Sequence, residues 1–203
     1  MKLAARLNSY LFHPIFAPLV SLYLLFELPI YLNYKLNETY QHYVYAIISL
    51  NLIVIPLLIN LYLKKKKMIS SLSMPDVNER VLPYLISCIF FTLTFFLLQE
   101  ISLPDFYLKV FQAACLSVLT LLVLAILKQK ISAHMVGLGG IIGMLSLVSV
   151  FFGLDLSIVM LIFILLAGLT GSSRLYLNAH TLLQVFLGFI IGFGWQWLSQ
   201  LFL

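Results

Sequence analysis

The chain has 203 residues, 63% of them hydrophobic and only 9% charged, against about 25% charged in a soluble domain. That composition excludes a dissolved globular monomer, and a scattered net charge of +5 with no basic, aromatic-interleaved helix excludes nucleic acid as a partner. Apolar stretches of about 20 residues, the length a helix needs to cross the hydrocarbon core, recur throughout. The expected fold class is therefore all-α: one polytopic transmembrane helix bundle of six to seven spans, in a single domain over 1–203.

In chain order the expected spans are Tyr10 to Leu32, Gln41 to Leu63, Val81 to Ile101, Tyr107 to Leu127, His134 to Phe152, Leu156 to Leu169 and His180 to Leu203. The first holds Pro14, Pro18 and Pro29 and lacks a small-residue cleavage pattern, so it reads as a retained span, not a signal peptide. The tight turn Phe152-Gly153-Leu154-Asp155 makes spans five and six a hairpin. Gly137, Gly139, Gly140 and Gly143 in the fifth span allow close helix packing. Cys88 and Cys115 lie inside spans without metal or redox spacing and read as small apolar residues.

Seven spans put the connections alternately on two sides. The N-terminal side receives Lys2, Arg6, Lys64 to Lys67, Arg80, Lys128, Lys130 and Arg174, ten of the 12 cations; the other side receives Lys35 and Lys109 with most of the acids. The positive-inside rule makes the N-terminal side cytoplasmic in a cell membrane. The lysine run 64 to 67 reads as a topogenic flank that also meets anionic membrane lipids. His13 and His42 read as interfacial histidines without a chemical role.

Three polar clusters fall on that same side. They are Ser73 to Pro83 with Asp76, Glu79 and Arg80; Ile131-Ser132-Ala133-His134; and Ser172-Ser173-Arg174 through His180 to Gln184. Ser132 stands where a helix N-cap is expected. Arg174 and His180, six residues apart, would not share a face of one helix; a turn between them, with Asn178 or a neighbour capping the last helix, lets both enter one cavity. His180 and Gln184 form an i,i+4 pair, the spacing that holds an imidazole in one tautomer.

Over about 64–194 these spacings resemble the type 2 phosphatidic acid phosphatase superfamily, whose motifs are Lys-x6-Arg-Pro, Pro-Ser-Gly-His and Ser-Arg-x5-His-x3-Asp. The third reads here Ser173-Arg174, His180 and Gln184, followed by Val185 and Gly188; the second keeps Ser132 and His134 but has Ile131 and Ala133. The first is degenerate: Ser73 stands in the lysine position before Arg80, and the proline is Pro83. The resemblance implies a phosphorylated lipid substrate and no cofactor; no metal is expected, because the sequence shows no carboxylate and histidine cluster to hold one. It makes His180 the nucleophile, His134 the general acid, and Arg174, Ser132, Arg80 and Ser173 the phosphate ligands. Gln184 would orient His180 without supplying a carboxylate's charge. Asp76 and Glu79 are alternative sources of that carboxylate. The family works on the outer membrane face, whereas the charge count places this site inside. Two other readings stand beside the phosphatase: a catalytically weak or inactive relative that binds a phosphorylated lipid or a partner protein, and a transporter or channel. The last lacks an internal repeat and a mid-span charge in its favour.

Overall fold

A computed structural model describes residues 2–28 and 38–201, and among these every regular element is helical. Seven helical stretches are long and apolar enough to cross a membrane: Lys2–Glu27, Glu38–Lys65, Asn78–Glu100, Asp105–Ile126, Ala133–Phe152, Ser157–Tyr176 and Leu182–Leu201. The protein is thus an all-α polytopic bundle. Pro29, Lys35 and the expected span ends at Leu32 and Leu203 lie outside the described residues.

The first stretch is two helices. α1 (Lys2–Leu11) carries Lys2, Arg6, Leu3 and Leu7 on exposed faces and buries Ala5 and Ser9. It ends before His13-Pro14, because proline has no N–H to extend the ladder, and a single 3₁₀ turn, Pro14–Phe16, leads into α2 (Ala17–Glu27). The first helical segment therefore starts eight residues before the expected Tyr10.

The second stretch is also interrupted. α3 (Glu38–Ile48) passes through a π-helical turn, Ser49–Val54, into α4 (Ile55–Lys65). Pro56 offers no N–H and its ring crowds the carbonyl of Leu52, so the ladder widens there, with the N–H of Ile55 reaching Leu50 O. α5 (Val81–Glu100) and α6 (Asp105–Ile126) form a hairpin, as do α7 (Ala133–Phe152) and α8 (Ser157–Tyr176). α7 stops at Gly153, whose φ of 65° lies in the left-handed region.

The sixth span corrects an expectation. It does not end at Leu169; α8 continues to Tyr176 and carries Ser172, Ser173 and Arg174 on its last turns. Gly168 and Gly171 do not break it, since Gly171 packs against α9 (Leu182–Leu198) and α7, where an added Cβ would lie 3.2 Å from Val185 and 3.6 Å from Met135. Asn178 ends the run by adopting φ 51°.

α7 is the central post, with Met144, Leu145, Leu147 and Val148 fully buried. It packs most closely on α9. A Cβ built on Gly192 would lie 1.9 Å from Val136 O, one on Gly139 2.2 Å from Phe189 O, and one on Gly143 2.9 Å from Phe193 O. In lipid, helix association draws on close packing and interhelical hydrogen bonds, because the tails are as apolar as leucine. The hydrogen bonds here run from α9: Trp195 Nε1 to Thr120 Oγ1 at 2.9 Å and Trp197 Nε1 to Ser146 Oγ at 3.0 Å. Gly137 faces the other way, toward Ala17 and Pro14.

Candidate active site

The connections 66–77, 127–132 and 177–181 all lie at one end of the bundle, the basic end, together with α1. A cavity of about 1070 Å³ opens there; Arg80, Lys130, His134, Arg174 and His180 line it. It continues between α2, α5, α6 and α7 to Leu98, Leu103 and Tyr107 near the opposite end. From Arg80 to Leu98 is about 27 Å of α5 at the helical rise, most of a hydrocarbon core of about 30 Å. The two motif histidines and the motif arginine, distant in sequence, therefore share the polar mouth of one deep apolar slot.

His180 sits in the turn before α9 and is 8% exposed. Thr181 caps α9: its Oγ1 accepts from the N–H of Gln184 at 3.4 Å, while Gln184 Oε1 accepts from the N–H of Thr181 at 3.2 Å. This capping box fixes the amide, because a backbone N–H can only donate. Gln184 Oε1 is therefore the atom 3.1 Å from His180 Nδ1, and Nδ1 must carry the proton it shares. Nε2 is left with its lone pair. Burial, then the charges of Arg80, Arg174 and Lys130, push the imidazole down to about 3, against the opposing bond to Gln184. His180 is accordingly neutral at pH 7.

His134 occupies the first turn of α7. Its Nε2 lies 3.0 Å from the carbonyl of Ser9. That carbonyl is free because α1 ends there: the N–H of His13 turns to Tyr10 O instead. A carbonyl only accepts, so Nε2 donates and Nδ1 is the nitrogen left for chemistry. The N–H groups of Ala133 and His134, beyond the reach of the helical ladder, have no backbone partner among the described residues.

Arg174 leaves the last turn of α8, and its Nε is buried without a hydrogen-bond partner among the described residues. Arg80 is 6% exposed and structural as well as cationic: Nε donates to Met74 O at 3.0 Å and a terminal nitrogen to Ile131 O at 3.2 Å, tying the 66–77 connection to the start of α7. Lys130 lies within the fields of Arg80 and Arg174; burial first, then those charges, push its ammonium below the usual lysine range, with Asp76 opposing. None of the three cations has a carboxylate partner within ion-pair distance among the described residues.

Two predicted phosphate ligands do not line the cavity. Ser173 donates to Leu169 O at 2.8 Å and accepts from Asn8 Nδ2 at 3.1 Å, so it fastens α1 to α8. Ser132 holds the N-cap position of α7 without a side-chain cap bond; it is wholly buried and its Oγ has no partner among the described residues. It is sealed by the approach of α9, where a Cβ on Gly188 would lie 2.6 Å from Ser132 O. Gln184 stands behind His180, outside the cavity wall. The alternative carboxylates are engaged elsewhere: Glu79 accepts from Ser70 N and Oγ at 3.1 and 2.9 Å, and Asp76 from Asn78. Three cavity-lining residues, Lys130, Ser9 and His13, were not singled out from sequence as part of a site. His13 packs edge-on to His134, ring centroids 5.5 Å apart and planes at 76°. No group of three His, Cys, Asp or Glu among the described residues is placed to hold a metal ion. No family model, curated protein or solved structure matches this chain.

Proposed function

We propose that this chain is an integral membrane phosphatase that hydrolyses a lipid phosphate or pyrophosphate through a phosphohistidine, in the manner of the type 2 phosphatidic acid phosphatases its motifs resemble. The observation that carries the reading is one cavity with two imidazoles and three unpaired cations at its mouth and an apolar slot beneath. Such a shape takes an amphiphile: the anion at the basic end, the tail between the helices.

The chemistry follows from the tautomers. His180 Nε2 attacks phosphorus with its lone pair, while Gln184 accepts the Nδ1–H and stabilises the charge that develops on the ring. The bond from phosphorus to the leaving oxygen breaks, and its electron pair stays on that oxygen. His134, held through Nε2–H to Ser9 O and protonated on Nδ1 once the substrate's negative charge enters the mouth, gives it that proton. Neutral His134 then takes a proton from the water that attacks phosphohistidine, which regenerates His180 and releases phosphate. Arg174, with its unpartnered Nε, and Lys130 neutralise the non-bridging oxygens. The two free N–H groups at the start of α7 add the positive end of a helix dipole.

Purified protein in detergent should release phosphate from a lipid phosphate. His180→Ala should reduce the rate at least about 1000-fold, as loss of a nucleophile does. Equal rates for the two proteins would end the phosphatase reading. Phosphate binding without turnover in the wild type would select the inactive, lipid-binding alternative, which the missing carboxylate at Gln184 favours.

A further inference from the structure

We propose that His13 is a phosphate-binding residue of this site, a neutral imidazole that donates its Nε2–H to a phosphate oxygen; the assignment rests on the reading of the cavity mouth as a phosphate site. The argument begins with the tautomer. His13 caps the 3₁₀ turn Pro14–Phe16, its Nδ1 accepting from the N–H of Ile15 at 3.3 Å. A backbone N–H cannot accept, so Nδ1 bears no proton and the single ring proton is on Nε2. That nitrogen has no protein partner among the described residues and is not among their buried, sealed polar atoms.

The ring's place is set by packing. It lines the cavity, stands edge-on to His134, and lies in the field of Arg174. The segment that carries it is clasped on both sides: Asn8 donates to Thr170 and Ser173 of α8 at 3.2 and 3.1 Å, and His134 donates to Ser9 O. Ala17 follows closely against Gly137. His13 is thus held next to the general acid, on a segment that itself lies outside the region of motif resemblance.

The same geometry excludes an acid role for His13. Giving away the Nε2 proton while Nδ1 is unprotonated would leave an imidazolate, and protonating Nδ1 would break the cap. Its part is to bind. A neutral donor adds a hydrogen bond to the anion without adding repulsion to a mouth that already holds Arg80, Lys130 and Arg174.

Two isosteres separate binding from capping. Asparagine places an acceptor near the Nδ1 position and has nothing at Nε2; glutamine places a donor near Nε2 and loses the cap. Equilibrium binding of inorganic phosphate to the detergent-solubilised full chain is the readout. His13→Gln should bind within about 3-fold of wild type, and His13→Asn about 10- to 100-fold more weakly, the range for a hydrogen bond to a charged group. The opposite order, or equal binding by all three, overturns the assignment. In unmutated protein labelled with ¹⁵N-histidine, phosphate should move the His13 Nε2–H resonance downfield, and an unmoved resonance overturns it without any variant having to fold. Phosphate binding with no lipid phosphate hydrolysis would remove the phosphatase reading and leave this one standing; a wild type that binds no phosphate removes this one.

Discussion

Gln184 does two jobs with one oxygen. Oε1 closes the capping box of α9 and accepts the Nδ1–H of His180, so the helix start and the tautomer of the proposed nucleophile depend on the same atom. Glutamate in its place keeps the acceptor and its reach and adds a negative charge beside the ring. With a base that works only when deprotonated, activity is lost as pH falls through its pKa. In the wild type that acid limb should lie near pH 3, where burial and the neighbouring cations hold His180. Gln184→Glu should raise the pKa, move the limb to higher pH, and increase turnover at pH 7, while Gln184→Leu loses both bonds and should lose at least about 100-fold. A pH–rate profile that does not shift in Gln184→Glu would show that the two side chains are uncoupled. The local part of this arrangement was legible in the sequence, because an i,i+4 spacing after a turn leaves little choice of geometry. Ser9 and His13 were not legible: they reach His134 across more than 120 residues, and nothing in their own neighbourhood marks them. Ser132 and Ser173 fail the other way, their motif positions intact but their hydroxyls turned from the cavity.

Between helices, register is set by missing side chains. His134 rides on α7, while His180 and Gln184 stand at the start of α9, so the separation of the two rings follows from how those helices meet. They meet at Gly139, Gly188 and Gly192, where backbone touches backbone. Gly192→Ala forces a methyl into Val136 O, and α9 must move away. The expected cost is about 1–3 kcal/mol of overpacking, seen as a lower melting temperature in detergent, together with lost activity because the imidazoles part. Gly194→Ala on the same helix meets nothing within 4 Å and should be neutral or slightly stabilising through helix propensity. Equal melting temperatures would mean that α7 and α9 are not in close contact. The glycines of the fifth span were readable from their clustering. The length of α8 was not: a glycine-containing polar run resembles a loop until Gly171 is seen packed against Val185 and Met135.

Across the whole molecule, composition alone fixes the class, since a chain 63% hydrophobic needs lipid around it. The charge asymmetry proposes which end faces the cytoplasm: the basic end, with the candidate site. A reporter fused after Leu203 should then be active only outside the cytoplasm, and cytoplasmic activity would reverse the orientation without disturbing the site. The cavity was beyond the reach of sequence reading, because its walls come from helices spread along the whole chain and a widened turn at Ser49–Val54, each ordinary on its own. Its depth makes a prediction about the substrate's tail. Ala114 lines the slot on α6, well away from the cationic mouth. Ala114→Phe fills space there and touches no residue placed in the chemistry. If the tail occupies the slot, this substitution should raise the KM for a long-chain lipid phosphate about 10-fold or more, the loss expected when roughly two methylenes are shut out at about 0.8 kcal/mol each. Hydrolysis of a short-chain soluble phosphate ester should be unchanged, because its anion binds at the mouth alone. Parallel losses on both substrates would mean that the slot supports the helices and the tail lies elsewhere, against the outer surface of the bundle.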